Sequence, residues 1–301
     1  MSPDLWVVVG PTASGKTELA LRLCEALGGE IVSADSVQVY TRFEIGTGKP
    51  SAEERARARH HLIDVVEPDR TLDAAQWAAL ADAAIADIRG RGRRPIVCGG
   101  TFLWVRALLW GLAGAPPADP ALRAAHQARA QAEGRAALHA ELARHDPISA
   151  AKLNPNDFVR VSRALEVFEL SGMPLSQWHA QHAFRELRHP HRLIGIRHEP
   201  STLDARIATR AQRMLDAGWV AEVERLMAEG FGEARAMGSV GYRQVHDAVK
   251  QGSTAGLGES ITRATRVFAR RQRTWLRDQP VRWLDADTAF RGDLSVATES
   301  E

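Results

Sequence analysis

The sequence lacks the marks of an oxidising compartment, a membrane or a fibrous protein. Only two cysteines, Cys24 and Cys98, occur in 301 residues, too few for a disulfide framework and without the spacing of a metal site. Both read as core filler in a reducing compartment. No apolar run approaches membrane-spanning length, and the chain does not open on a charged segment followed by a cleavable apolar core. No membrane association and a cytoplasmic location are therefore expected. There is no internal repeat and no low-complexity tract. Charge of one sign is also missing: the net is only +2, which does not by itself announce a nucleic-acid partner. The basic residues are almost all arginine, however, and many fall late in the chain. Seven of the eleven histidines lie between His126 and His191. They show no ligand spacing with cysteines and read as solvated surface. What remains is 45% hydrophobic and 25% charged, a globular composition long enough for one large or two ordinary domains. With no obvious apolar patch, a monomer is expected.

One stretch dominates. Gly10-Pro11-Thr12-Ala13-Ser14-Gly15-Lys16-Thr17 fits the phosphate-loop pattern of ATP- and nucleotide-binding proteins. Leu5-Trp6-Val7-Val8-Val9 before it reads as a buried parallel strand, and Glu18 to Leu27 after it as a helix closed by Gly28-Gly29. Strand, glycine loop and helix N-terminus together form an anion site. Backbone N–H groups converge on a phosphate, the helix dipole adds to them, and Lys16 supplies a point charge. Thr17 is the candidate hydroxyl ligand for Mg²⁺.

A second strand at Glu30-Ile31-Val32-Ser33 delivers Asp35 to the same sheet edge. Asp35 reads either as the N-cap of a turn or as a carboxylate facing the phosphates, a general base or a metal ligand. Leu72 to Ile88 has the pattern of an amphipathic helix. A third strand, Pro95-Ile96-Val97-Cys98, ends in Gly99-Gly100-Thr101, placing Thr101 beside Asp35. Proline and glycine break the pattern at Gly114 to Pro120. Helices follow, from Pro120 to about Arg144 and again after Asn154-Pro155-Asn156-Asp157, before Leu193-Ile194-Gly195-Ile196 resumes strand character. Later helices are read from Thr202 towards Glu229, from Gly241 to Lys250 and from Glu259 to Asp278, with a loosely ordered tail after Asp285. The last helix puts Arg263, Arg266, Arg270 and Arg277 on one face. The expected fold is α/β, a P-loop NTPase-like parallel sheet core with helices on both faces and an all-helical insertion domain. Its segments are 1–115 for the first part of the core, 116–191 for the insertion and 192–301 for the remainder.

The motifs together resemble the tRNA dimethylallyltransferases (tRNA isopentenyltransferases). The resemblance is carried by Gly10–Thr17, Asp35-Ser36-Val37-Gln38-Val39-Tyr40, Gly46-Thr47-Gly48-Lys49-Pro50, His60-His61-Leu62-Ile63-Asp64 and Gly99-Gly100-Thr101. Further on come Ala118-Asp119-Pro120 with Arg123, Asn154 to Asp157 leading to Arg160-Val161-Ser162-Arg163-Ala164-Leu165-Glu166, Val240-Gly241-Tyr242-Arg243-Gln244 and Arg270-Arg271-Gln272-Arg273-Thr274-Trp275. One departure stands out: the family usually follows Gly-Gly-Thr with Gly-Leu-Tyr, where this chain has Phe102-Leu103-Trp104.

The resemblance implies transfer of a dimethylallyl group from dimethylallyl diphosphate to N6 of adenine 37 beside the tRNA anticodon. Asp35, Thr101 and Lys16 would be catalytic, with Asp35 the general base. The loop Gly10, Pro11, Thr12, Ala13, Ser14, Gly15, Lys16 and Thr17 would hold the diphosphate, with Mg²⁺ on Thr17. The tRNA anticodon stem-loop would meet Asp35, Ser36, Val37, Gln38, Thr101, Arg123, Val159, Arg160, Val161, Ser162, Arg163, Gly238, Ser239, Val240, Gly241, Tyr242 and Arg243. Rival readings are a P-loop kinase, in which Asp35 faces an acceptor hydroxyl, a transferase that uses free adenine nucleotide, and a nucleotide-gated RNA-binding protein without chemistry. A solvated helix surface is the plain alternative for the arginine face.

Overall fold

The computed structural model describes residues 5–182, 186–292 and 294. Six parallel strands form one sheet: β1 (Leu5–Val9), β2 (Gly29–Ala34), β3 (His60–His61), β4 (Arg94–Gly99), β5 (His191–Ile196) and β6 (Val281–Leu284). Their spatial order is β3-β2-β4-β1-β5-β6, so β1 is paired on both sides, with Val7 opposite Val97 and also opposite Leu193. All five β1 residues are buried, as a strand covered on both faces requires. On one face Trp6, Val8, Ile31 and Ile96 pack with Leu19, Leu23 and Cys24 of α1 (Lys16–Leu27). The edge strands β3 and β6 are too short or too exposed to show in the sequence pattern.

Helices α2 (Ala52–Arg57), α3 (Ala74–Gly90) and α4 (Phe102–Trp110) complete the first half of this core. Asp73 and Gln76 close a capping box at the start of α3, and Trp77 donates its indole N–H to the Ser33 carbonyl, pinning that helix to β2. After β5 come α10 (Pro200–Asp216), α11 (Trp219–Ala228), α12 (Tyr242–Gln251), α13 (Leu257–Leu276) and α14 (Ala286–Phe290). The expected long helix from Thr202 is two helices, because Gly218 at φ 96° breaks it in a conformation that side-chain-bearing residues resist. The tail expected to be loose after Asp285 forms α14, capped by the Asp285 side chain on Thr288 N–H; residues 295–301 lie outside the described residues.

Residues Trp110–Leu187 form a second compact unit, beginning and ending a few residues before the boundaries read from the sequence. It holds α5 (Pro120–Ala132), α6 (Arg135–His145), α7 (Pro147–Lys152), α8 (Phe158–Ser171) and α9 (Leu175–His182). Gly134 at φ 85° divides what the sequence suggested as one helix from Pro120. Leu138, Leu142, Ala150, Val161, Ala164 and Leu165 form its core. The histidines expected at the solvated surface are partly structural. Buried His126 bonds Ser162 and Glu169, and His139 reaches the carbonyls of Ala150 and Leu153.

Candidate active site

The carboxyl ends of β1, β2 and β4 meet at a cavity of about 370 Å³, where the sheet's crossing order leaves a crevice for ligands. The phosphate loop follows β1. Ala13 and Gly15 both take positive φ, 63° and 89°, and Gly15 caps the start of α1. The loop therefore turns its amides towards the helix N-terminus, which favours an anion. Lys16 lines the cavity and donates to the Pro11 carbonyl at 3.5 Å. Burial holds its ammonium below the ordinary lysine range, opposed by Cys98 and Asp35, with Arg210 pushing down as well. The Cys98 thiol beside it is itself pushed up to about 12 by burial, so it is neutral at ordinary pH. An ammonium so placed gains from a phosphate dianion what it lost in water.

Asp35 follows β2 and performs the capping task the sequence allowed. Its Oδ1 accepts from Val37 N–H at 2.9 Å and Gln38 N–H at 3.3 Å. No hydrogen bond engages Oδ2 among the described residues, and Asp35 and Lys16 line the same cavity. Thr101, after β4, accepts the Ser36 N–H at 3.0 Å and meets the Ser36 hydroxyl at 3.3 Å. The structure thus brings Lys16, Thr17, Asp35 and Thr101 to one wall, as the sequence suggested.

Two residues of this wall were not singled out from sequence. Arg210 on α10 is half-buried against Gly48, where a Cβ would lie 2.1 Å from the guanidinium. Burial depresses its pKa, opposed by Asp35 and Glu54. Among the described residues it makes no ion pair within 4 Å. Its sequence signal is a charge on an apolar stripe, since Leu203, Ile207 and Ala211 on the same helix are buried. Gln272 on α13, only 5% exposed, interrupts the stripe of Ile261, Ala269 and Leu276 in the same way.

The outer loops of the cavity rest on a buried carboxylate. Glu222 on α11 accepts from Glu44 and Ile45 N–H and from the Tyr242 hydroxyl, while Gly46 N–H donates to Tyr242 Oη at 3.1 Å. Tyr242, expected to meet RNA, is thereby an interior support, 1% exposed. Val240 is 39% exposed at the cavity rim with Gly238 and Ser239, and Arg243 is exposed. Gly241 stays free of Cβ because Trp219 packs 2.3 Å from where it would stand.

In the helical unit the predicted contact residues divide. Arg160 and Val159 are exposed, with Arg160 at 73% and Val159 at 75%. Val161 and Ser162 are buried, so their side chains pack inside the helical unit. Arg123 and Arg163 both bind the fully buried Glu166: Arg123 at 2.8 and 3.0 Å, Arg163 at 2.5 Å, with Asp119 N–H as a third donor at 2.7 Å. The burial cost of the Glu166 carboxylate is offset by these donors, which hold its pKa below the usual range. A separate cationic hollow beside the phosphate loop gathers Arg197, Arg270, Arg273 and Arg277 around Pro11 and Trp283. The arginine face read from the sequence is split, since Arg266 pairs with Asp204 at 3.4 Å.

The donor set suits magnesium. The Thr17 hydroxyl on the cavity wall is a hard donor, and an ion that keeps most of its waters and binds the substrate phosphates needs little more from the protein. Among the described residues no group of three His, Cys, Asp or Glu side chains could hold a metal by itself.

A parallel sheet, a glycine loop at its central strand and half-buried cations around one cavity define an α/β protein of the phosphate-loop class. A family model described as IPP transferase matches residues 38–279, and the chain belongs to that family, whose members are prenyltransferases. It is similar to a tRNA dimethylallyltransferase of Sorangium cellulosum (strain So ce56), 61% identical over 282 residues, covering 93% of this chain and 90% of the other. One from Geobacter sulfurreducens is 44% identical and covers 97% and 95%. The crystal structure of the full-length tRNA isopentenylpyrophosphate transferase of Bacillus halodurans superposes with a TM-score of 0.69 at 34% identity, covering 94% and 90%. A eukaryotic dimethylallyltransferase acting on tRNA reaches 0.79 at 24% identity over 98% of this chain and 78% of that one, a likeness of fold.

Proposed function

We propose that this protein transfers a dimethylallyl group from dimethylallyl diphosphate to N6 of adenine 37 beside the tRNA anticodon, releasing diphosphate. The observation that carries the reading is the cavity that Lys16 and Arg210, two half-buried cations with pKa values lowered by desolvation, line together with Asp35 and Thr101. The diphosphate lies on the loop amides, Lys16 and Arg210. As the allylic C–O bond breaks, its electron pair passes to the diphosphate, and these fixed charges stabilise it without reorganising. Thr17 would hold magnesium, which would supply further neutralisation of the leaving group when bound. The adenine amine is a weak nucleophile because its lone pair is delocalised into the ring. Asp35 Oδ2 takes its proton as the N–C bond forms, while Oδ1 keeps the carboxylate oriented through Val37 and Gln38. Thr101 orients the amine. An adenine in a stacked loop cannot enter such a cavity and is flipped out. Exposed Arg160, the Arg123 side chain and the hollow of Arg197, Arg270, Arg273 and Arg277 offer phosphate contacts for the anticodon stem-loop.

Incubation with labelled dimethylallyl diphosphate or labelled ATP, with and without tRNA, tests this. Label should move from the prenyl donor to tRNA only, without ATP consumption. ATP turnover in step with product would replace the reading with a kinase, and equal prenylation of free AMP would replace the acceptor.

A further inference from the structure

Gln272 spans the two halves of the cavity. Its amide oxygen accepts the Thr12 N–H of the phosphate loop at 2.8 Å, and its amide nitrogen donates to the Gly100 carbonyl at 2.9 Å. Gly100 has no Cβ where one would lie 2.5 Å from that nitrogen. The next residue is Thr101, whose hydroxyl receives Ser36 N–H beside Asp35. Two hydrogen bonds of one side chain, continued by the Gly100–Thr101 backbone, therefore join the loop on the diphosphate side to the wall on the acceptor side.

The helix carrying Gln272 is held in register by an aromatic pair. Trp275, one turn further along α13, stacks on Phe102 with ring centroids 4.3 Å apart and planes 3° apart. Phe102 directly follows Thr101, so the stack clamps α13 to the same strand end that Gln272 bonds. Offset or parallel rings at this distance contribute specific geometry beyond buried area. Because Thr12 N–H is committed to Gln272, the loop is shaped before any phosphate arrives.

We propose that Gln272, fixed by the Phe102–Trp275 stack, is a positioning residue that couples occupancy of the diphosphate side to that of the acceptor side. Each ligand binds better when the other is present. The inference rests on the functional reading above, with diphosphate on the loop and adenine against Thr101 and Asp35. Coupling of this kind is reciprocal and typically amounts to about 5- to 150-fold in affinity.

The test uses the full chain, inorganic diphosphate with Mg²⁺, and a synthetic anticodon stem-loop RNA. Dissociation constants for each are measured with and without the other, beside single-turnover rates and melting temperatures. The unaltered protein should show at least a fivefold mutual effect. Gln272→Met, matched in length but without hydrogen bonds, and Trp275→Ala should bring the factor within about twofold of unity. Both should lower kcat about tenfold while the KM for the prenyl donor moves less than threefold. Trp275→Phe, which keeps a stacking ring, should restore the coupling. A purely structural role would lower melting temperature and leave the coupling factor alone. An unchanged factor in Gln272→Met, or none in the unaltered protein while it transfers the prenyl group normally, overturns the positioning role. Absence of transfer in the unaltered protein overturns the functional reading and this inference with it.

Discussion

Asp35→Asn separates the two tasks of that residue. Asparagine keeps an oxygen for Val37 and Gln38 N–H, so the turn loses only the charge assistance of its cap. That is worth about 0.5–1 kcal/mol, or roughly 2 °C in melting temperature for a chain of this size. The other oxygen becomes an amide that cannot take a proton. General-base catalysis contributes about 10²–10⁴-fold, equivalent to roughly 3–5 kcal/mol of barrier, and kcat should fall by that factor. The barrier effect exceeds the folding effect several-fold, so the two are resolved by measuring both. A third sign is available in diphosphate affinity. Asp35 compensates Lys16 and Arg210 electrostatically, so its neutralisation should tighten inorganic diphosphate binding even as turnover collapses. Single-turnover prenyl transfer to an anticodon stem-loop, thermal unfolding and calorimetry supply the three numbers. A rate within tenfold of normal together with a melting temperature lowered by more than about 5 °C would reduce Asp35 to a cap.

Burial depresses the Lys16 ammonium in the free protein, and a diphosphate should raise it again. Binding at alkaline pH below 10.5 should therefore take up protons, read from calorimetry in two buffers of different ionisation enthalpy; Lys16→Ala should abolish both the uptake and turnover. The same depression makes this group's contribution to stability of the unliganded fold rise as pH climbs through that window, since the unfolded lysine binds the proton more tightly. Glu166→Ala removes the acceptor shared by Arg123, Arg163 and Asp119 N–H and should cost about 1–3 kcal/mol, because the part-exposed arginines can be hydrated; it should be seen as faster amide exchange in α5 and α8. Arg160→Gln removes an exposed charge and should lower the slope of log K for RNA against log salt by about 0.7 without changing melting temperature, whereas Arg163→Gln should chiefly lower stability. Equal salt slopes in Arg160→Gln and the unaltered protein would take Arg160 off the RNA.

The catalytic wall was legible because its residues sit at fixed offsets from strands whose apolar runs are unmistakable. Asp35 follows β2 directly, Thr101 follows β4 after Gly100, and Lys16 follows β1 across the glycine loop. Arg210 and Gln272 were harder, since they arrive from helices more than a hundred residues away and their partners, Gly48 and Gly100, are backbone. Only their intrusion into apolar stripes betrayed them. Arginine content left structural tasks hidden. Arg123 and Arg163 also hold the buried Glu166, a structural task the sequence did not show, since the periodicity of α8 cannot say whether a carboxylate at its inner face is paired. The strand β6 escaped because its Val281-Arg282-Trp283-Leu284 is half exposed and too short to show a period. The Phe102-Leu103-Trp104 departure had a structural answer: Phe102 stacks on Trp275 and Trp104 on Trp77.

The place of β1 in the sheet has a consequence for biosynthesis. One of its edges is closed by β4, complete at Gly99, but the other awaits β5, complete only at Ile196. Between those points 196 − 99 = 97 residues must leave the ribosome, about 5–20 s at usual elongation rates. Throughout that interval an apolar central strand presents an open row of amides and carbonyls, the geometry that seeds sheet-to-sheet association between nascent chains. The helical unit, with its own core and local contacts, can fold during the wait. Slowing elongation within residues 110–187 should thus lower soluble yield by prolonging exposure of the β1 edge, and a trigger-factor-type holdase should relieve it.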